Sequence, residues 1–144
     1  MTLVDRREHE GALVLTLNRP EKRNALNATL WEELHEVLVF ASEQHARCVV
    51  LAGAGKAFSA GGDVSEADGA DDALYQRIYS LTHRAVEALY RLPCPTIAMV
   101  HGAAVGAGLE LALACDFRFA GDSAFFEIAF TKFAAPPEAI SAAM

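Results

Sequence analysis

The sequence predicts an α/β fold, and three observations carry that expectation. Short β-rich apolar runs at 13–18, 47–52 and 96–100 read as strands, and amphipathic patterns at 27–41 and 73–91 place helices between them. The alternation leaves crossover helices that must cover a sheet, so the sheet is expected to be largely parallel. At 144 residues, with 53% hydrophobic and 22% charged positions and a mean hydropathy of +0.20, the chain suits a single domain over 1–144 with one core.

Each element has its own local reason. Leu13, Leu15 and Leu17 alternate with Val14 and Thr16, and Asn18-Arg19-Pro20 closes the run as a turn. Asn27 is placed to cap a helix whose apolar side chains Leu30, Leu34, Val37, Leu38 and Ala41 recur at helical spacing. Arg47 to Ala52 is a short β-branched run stopped by Gly53, as in a buried parallel strand. The segment 63–72, with Asp63, Glu66, Asp68, Asp71, Asp72 and Gly69, is expected to be a solvated, mobile connection. Leu74, Ile78, Leu81, Ala85 and Leu89 mark a second amphipathic helix, ended by Pro93 and Pro95. After the strand 96–100 comes a run of small residues, then helix-forming composition over 109–115 and short strand candidates at 117–120 and 124–126.

The totals exclude several function classes. Twelve basic against nineteen acidic side chains give a formal charge of -7, so no nucleic acid and no anionic membrane is expected as a partner. Met1 to Glu10 is broken by Asp5, Arg6, Arg7 and Glu8, which is unlike a signal peptide. The longest apolar stretch, 94–113, is interrupted by glycines, His101 and Glu110, so no membrane span is expected and the location expected is the cytoplasm or an organelle matrix. Cys48, Cys94 and Cys115 sit in apolar contexts and are expected to be reduced packing residues.

Two loops rich in Gly and Ala, 58–63 and 101–110, are the places where chemistry could sit. Neither follows the P-loop or the dinucleotide fingerprint, so a nucleotide phosphate cradle is disfavoured. Together they suggest two backbone N–H groups converging on one oxygen, a device suited to an enolate. Such chemistry needs a base, and two carboxylates qualify: Glu110, just after the second loop, and Glu138, after Pro136-Pro137. Ser59 lies outside a G-x-S-x-G elbow, and His101 after a strand reads as a structural group. The histidines show no H-E-x-x-H grouping, and no metal is expected.

Three segments, NRPEKRNALN (18–27), AFSAGGD (57–63) and GAAVGAGLELALACD (102–116), resemble the enoyl-CoA hydratase/isomerase, or crotonase, family. Their order and intervals match, and the similarity runs from about Leu3 to at least Lys132. The resemblance implies a crotonase-like spiral of repeated ββα units, acyl-CoA thioester substrates, and homotrimers or hexamers. No cofactor is implied, because coenzyme A is part of the substrate. By position, the backbone of Arg23 and Ala25 and the loop at Ala60-Gly61 would flank the adenine and pantetheine. Lys22 or Arg23 would meet the phosphates. Gly62 and Ala107 fall at the oxyanion-hole positions, and Asp63 is expected to fix its loop rather than react.

Departures from the family pattern shape the functional expectation. Glu110 matches one hydratase glutamate, but Phe130 stands where the second belongs, while Glu138 falls where several Δ3,Δ2-enoyl-CoA isomerases carry their base. After Glu138 the usual Gly-Gly is replaced by Ala139-Ile140. Isomerisation of a 3-enoyl-CoA to a 2-enoyl-CoA, with Glu138 or Glu110 as base, is therefore expected ahead of hydration by a Glu110–Glu138 pair. Family members extend further, through helices that complete the acyl pocket and support trimers, so the chain resembles the N-terminal part of a crotonase without its C-terminal helical region. A non-catalytic CoA-binding or assembly module is the alternative from another class.

Overall fold

A computed structural model describes residues 2–68 and 71–129. The chain opens with β1 (Val4–His9) and β2 (Ala12–Leu17), an antiparallel hairpin turning at Glu10 and Gly11, both with positive φ. Two successive positive-φ residues match the right-handed twist of the strands. The sequence reading missed β1 because it carries no alternation: only Val4 is buried, and Asp5 to His9 lie exposed on an edge strand. In β2 the alternation is clear, with Leu13, Leu15 and Leu17 buried.

A turn at Pro20–Lys22 leads to α1 (Ala28–Glu43), where the Asn27 side chain accepts a 3.0 Å hydrogen bond from the Leu30 amide as expected of a cap. Its inward face is Leu30, Trp31, Leu34, Leu38 and Ala41. β3 (Val49–Gly53) then runs parallel to β2, with Leu51 beside Leu15. The acidic stretch that follows is not wholly loop: α2 (Val64–Ala67) forms a single turn capped by Asp63. α3 (Asp72–Tyr90) begins at an Asp71 cap and packs on α1 over the sheet. Capping explains the departure from expectation, since an aspartate before a helix accepts otherwise unpaired backbone N–H bonds.

β4 (Thr96–Val100) joins β3, and β5 (Ala103–Val105), α4 (Ala107–Ala114), β6 (Phe117–Ala120) and β7 (Phe125–Glu127) follow. The main sheet has the order β1-β2-β3-β4-β6, parallel from β2 onward. A second layer of pairing repeats beside it: Leu26 bridges Gly62, Ser59 bridges Ala104, and β5 pairs with β7, all in parallel. Each turn of chain thus adds one strand to the large sheet and one short extended piece to the smaller stack, which is the ββα spiral. β5 was hidden inside the glycine-rich loop because three residues of Ala and Val carry no periodicity of their own.

One buried cluster joins Leu15, Leu17, Trp31, Leu34, Leu51, Phe58, Leu89, Ala98 and Leu111. Cys115 belongs to it, while Cys48 and Cys94 are half-buried. Burial pushes the Cys115 thiol up to about 12, so almost none is thiolate at neutral pH. Alkylation of the folded protein at pH 8 is expected to leave Cys115 intact until denaturant is added. Peptide mapping that found Cys115 modified in the folded protein would contradict its burial.

Candidate active site

The two glycine-rich loops are brought together by backbone pairing. Phe58 N donates to His101 O at 2.8 Å, Ser59 N to Ala103 O at 2.9 Å, and Val105 N to Ser59 O at 3.1 Å. This ladder seats residues 58–61 against the start of α4. How closely they approach is read from two glycines. A methyl placed on Gly61 would lie 2.6 Å from the Val105 oxygen and 3.7 Å from the Ala107 nitrogen; one on Gly108 would lie 2.7 Å from Ser59 Cβ. Nothing larger than glycine fits at either position without a shift.

Gly62 and Ala107, the expected oxyanion positions, lie on these two adjoining segments. In the bridge between Leu26 and Gly62, Leu26 N donates to Gly61 O (2.8 Å) and Asp63 N donates to Leu26 O (3.1 Å). A parallel bridge of this form turns the N–H of Gly62 itself to the opposite side. Gly62 is itself exposed, and a methyl on it would meet no described atom within 4 Å. Ala107 is the first residue of α4, and the first intrahelical bond is Glu110 N to Gly106 O, so the Ala107 amide has no acceptor within its own helix. Amides so placed, at the positive end of a helix, favour a developing negative charge.

Glu110 stands on the first turn of α4 and is only 1% exposed. A carboxylate enclosed in an otherwise apolar helix is unusual, because charge of that kind is seldom buried without a purpose. Glu138, the other candidate base, and Phe130 lie outside the described residues.

The expected coenzyme A segments meet in the same place. Ala60 N donates to Arg23 O at 2.9 Å, so residues 23–26 run beside 60–63 as a short ladder. Lys22 and Arg23 are exposed, Ala25 and Gly61 are buried, and Ala60 is half-buried. Arg23 and Asn24 both adopt positive φ (51° and 54°), a local bend that asparagine tolerates better than most residues.

Asp63 does fix its loop. Its carboxylate caps α2 through Ser65 and pairs with Arg19 at 2.9 Å. The hydrogen bond from the Ser65 hydroxyl is the main influence holding the carboxyl below its usual range; burial works against it, and Arg19 adds to the lowering. A carboxyl whose folded pKa lies below an unfolded value of about 3.9 stabilises the fold above that pH, and the contribution is lost as pH falls through the folded pKa. Amide exchange at residues 63–66 is therefore expected to show pH-independent protection between about pH 5 and 8. Loss of protection should begin only below about pH 4; loosening already near pH 6 would contradict the pairing.

Several residues that build the site were missed as such in the sequence. Asn24 is fully buried, donates to the Ala54 and Ala57 carbonyls at 2.9 and 2.8 Å, and accepts from Arg19 N at 2.9 Å. The Ser59 hydroxyl donates to Asn24 O (2.8 Å) and accepts from Gly61 N (3.2 Å), which is a structural use of a side chain. His101 Nε2 lies 2.9 Å from Gly55 O, in keeping with a structural histidine. The only signal for Asn24 was its type, an asparagine in a turn.

Fold and site together define a class: a ββα spiral in which a glycine-rich loop is seated against a helix N-terminus whose first turn carries a buried glutamate. Residues 7–144 match the enoyl-CoA hydratase/isomerase family. A probable enoyl-CoA hydratase of Mycobacterium bovis is 42% identical over 125 residues, covering 86% of this chain and 49% of the relative. A mouse mitochondrial Delta(3,5)-Delta(2,4)-dienoyl-CoA isomerase is 38% identical, covering 81% of this chain and 39% of the relative. Among solved structures, one described as a putative enoyl-CoA hydratase of Streptomyces coelicolor superposes with a TM-score of 0.89 at 38% identity, over 98% of this chain and 53% of that one. The chain belongs to the enoyl-CoA hydratase/isomerase family, and it spans about half the length of the curated relatives it matches. No helix among the described residues is long and apolar enough to cross a membrane.

Proposed function

We propose that the protein acts on enoyl-CoA thioesters, moving the double bond of a 3-enoyl-CoA to the 2-position. The observation that carries this reading is the close seating of the Gly61-Gly62 loop against the first residues of α4, with Glu110 buried one turn on. In the proposed step a glutamate, Glu110 or Glu138, removes a proton from C2. The electron pair shifts to leave a dienolate whose oxygen accepts hydrogen bonds from the Gly62 and Ala107 amides. The same carboxylic acid returns the proton at C4, so one base serves both transfers. Coenzyme A arrives as part of the substrate, lying along 22–26 and 60–61, with Lys22 or Arg23 near its phosphates and Asp63 fixing the loop. No separate cofactor, metal, nucleic acid or membrane enters the reading, which places the protein in the cytoplasm or an organelle matrix as a homotrimer or hexamer.

Hydration of a 2-enoyl-CoA by Glu110 and Glu138 is the second reading, favoured by the names of relatives such as the M. bovis protein. Ultraviolet absorbance of the conjugated enoyl thioester separates the two. It rises when a 3-enoyl-CoA is isomerised and falls when crotonyl-CoA is hydrated. Silence in both assays, with calorimetric binding of acyl-CoA retained, would overturn the enzyme reading in favour of a binding module.

A further inference from the structure

The Arg19 guanidinium sits where the two halves of the site meet. Its Nη1 donates to Asp63 Oδ2 at 2.9 Å and to the Ala25 carbonyl at 2.7 Å. The side chains of Arg19 and Asp63 are 13% and 8% exposed, so this pair is screened far less than the other two ion pairs of the described residues, whose side chains are at least half exposed. Arg19 is itself anchored: its N–H donates to Asn24 Oδ1 (2.9 Å) and its carbonyl accepts from Asn24 N (2.9 Å). One cation therefore ties the 19–26 bend to the residue that directly follows Gly62.

We propose that Arg19 is a positioning residue for the Gly62 peptide. The backbone at Gly62 is held on one side by its bridge to Leu26, and Leu26 directly follows the Ala25 carbonyl that Arg19 grips. On the other side it is held through Asp63, which Arg19 pairs and Ser65 turns into the start of α2. Glycine has no side chain with which to secure its own orientation, and a peptide in a glycine-rich loop loses direction when its flanks loosen. The charge-assisted contacts of Arg19, both made by Nη1, supply that orientation from outside the loop. The effect on chemistry rests on the proposed function, whereas the effect on the loop does not.

The test compares wild type with Arg19→Met, Arg19→Lys and Asp63→Ala. Amide hydrogen exchange, read without substrate, is expected to quicken at residues 24–26 and 60–63 in Arg19→Met and Asp63→Ala while strands β2 to β4 keep their protection. Turnover of 3-enoyl-CoA is expected to fall about tenfold to a hundredfold in kcat with a much smaller change in KM. The carbonyl stretch of bound acyl-CoA, shifted by hydrogen bonding in wild type, should move back towards its solution value. Lysine keeps the charge and a nitrogen donor but has a shorter side chain than arginine, so Arg19→Lys should lie between wild type and Arg19→Met. Unchanged exchange at 60–63 in Arg19→Met overturns the proposal. Quickened exchange with an unaltered carbonyl band and kcat in an active protein overturns it as well, because Arg19 would then be only structural. A wild type without turnover or carbonyl shift defeats the proposed function instead, and the exchange measurement still decides the positioning of Gly62.

Discussion

Gly61→Ala is expected to abolish measurable turnover and to lower the unfolding free energy by about 2–4 kcal/mol. Two independent causes add at this position. Its φ of +91° lies where an L side chain is strained, and the added methyl would stand 2.6 Å from the Val105 carbonyl oxygen. That oxygen belongs to backbone within the β5–β7 pair, so it cannot swing aside as a flexible side chain would. Relief must come from separating the 58–63 loop from α4, which opens the distance between Gly62 and Ala107. The neighbouring substitution provides the control. A methyl at Gly62 meets no described atom within 4 Å, so the melting temperature of Gly62→Ala should stay close to wild type while a side chain now stands beside the proposed oxyanion amide. Thermal unfolding and turnover measured on both variants give a crossed result: Gly61→Ala loses both properties, and Gly62→Ala loses mainly turnover. A stable, active Gly61→Ala protein would contradict the close seating of the two loops.

Glu110→Gln carries the second large expectation, a fall in turnover of about 10²–10⁴-fold with the fold retained. Glutamine has nearly the shape of glutamate, so the first turn of α4 should keep its packing; the substitution removes the capacity to take up a proton. Thermal unfolding measured alongside turnover separates a chemical role from a structural one. Glu138→Gln, made in parallel, asks which carboxylate is the base. Strong loss in one variant alone identifies a single base, as isomerisation requires. Comparable loss in both, with crotonyl-CoA consumed by wild type, points to the hydratase pair. Full activity in both would remove the glutamate chemistry altogether.

Most of the scaffold was legible before any coordinates. β2, β3, β4, α1 and α3 follow from Leu13-Leu15-Leu17, from the run Val49-Val50-Leu51, and from helical spacing that begins at a capping Asn27, because each has a period or a composition that local physics explains. β1 was not legible. Its residues are charged and exposed, and it is a strand only because β2 offers a hydrogen-bonding edge and Gly11 supplies the turn. α2 was likewise hidden in an acidic run, where Asp63 acts as both cap and ion-pair partner.

For the site, residue types were enough to nominate the two glycine-rich loops with Glu110 and Glu138, and the resemblance to a family singled out Gly62 and Ala107 and their expected roles. What no linear reading contains is the meeting of 23–26 with 60–63 and of 59–61 with α4, or the grip of Arg19 on Ala25 and Asp63 across 44 positions of chain. Sequence alone determined which local elements could form, because propensity, capping and periodicity act over a few residues. Tertiary structure decided which loops lie side by side and that Glu110 is enclosed, because those depend on backbone hydrogen bonds between segments that only the spiral brings into register.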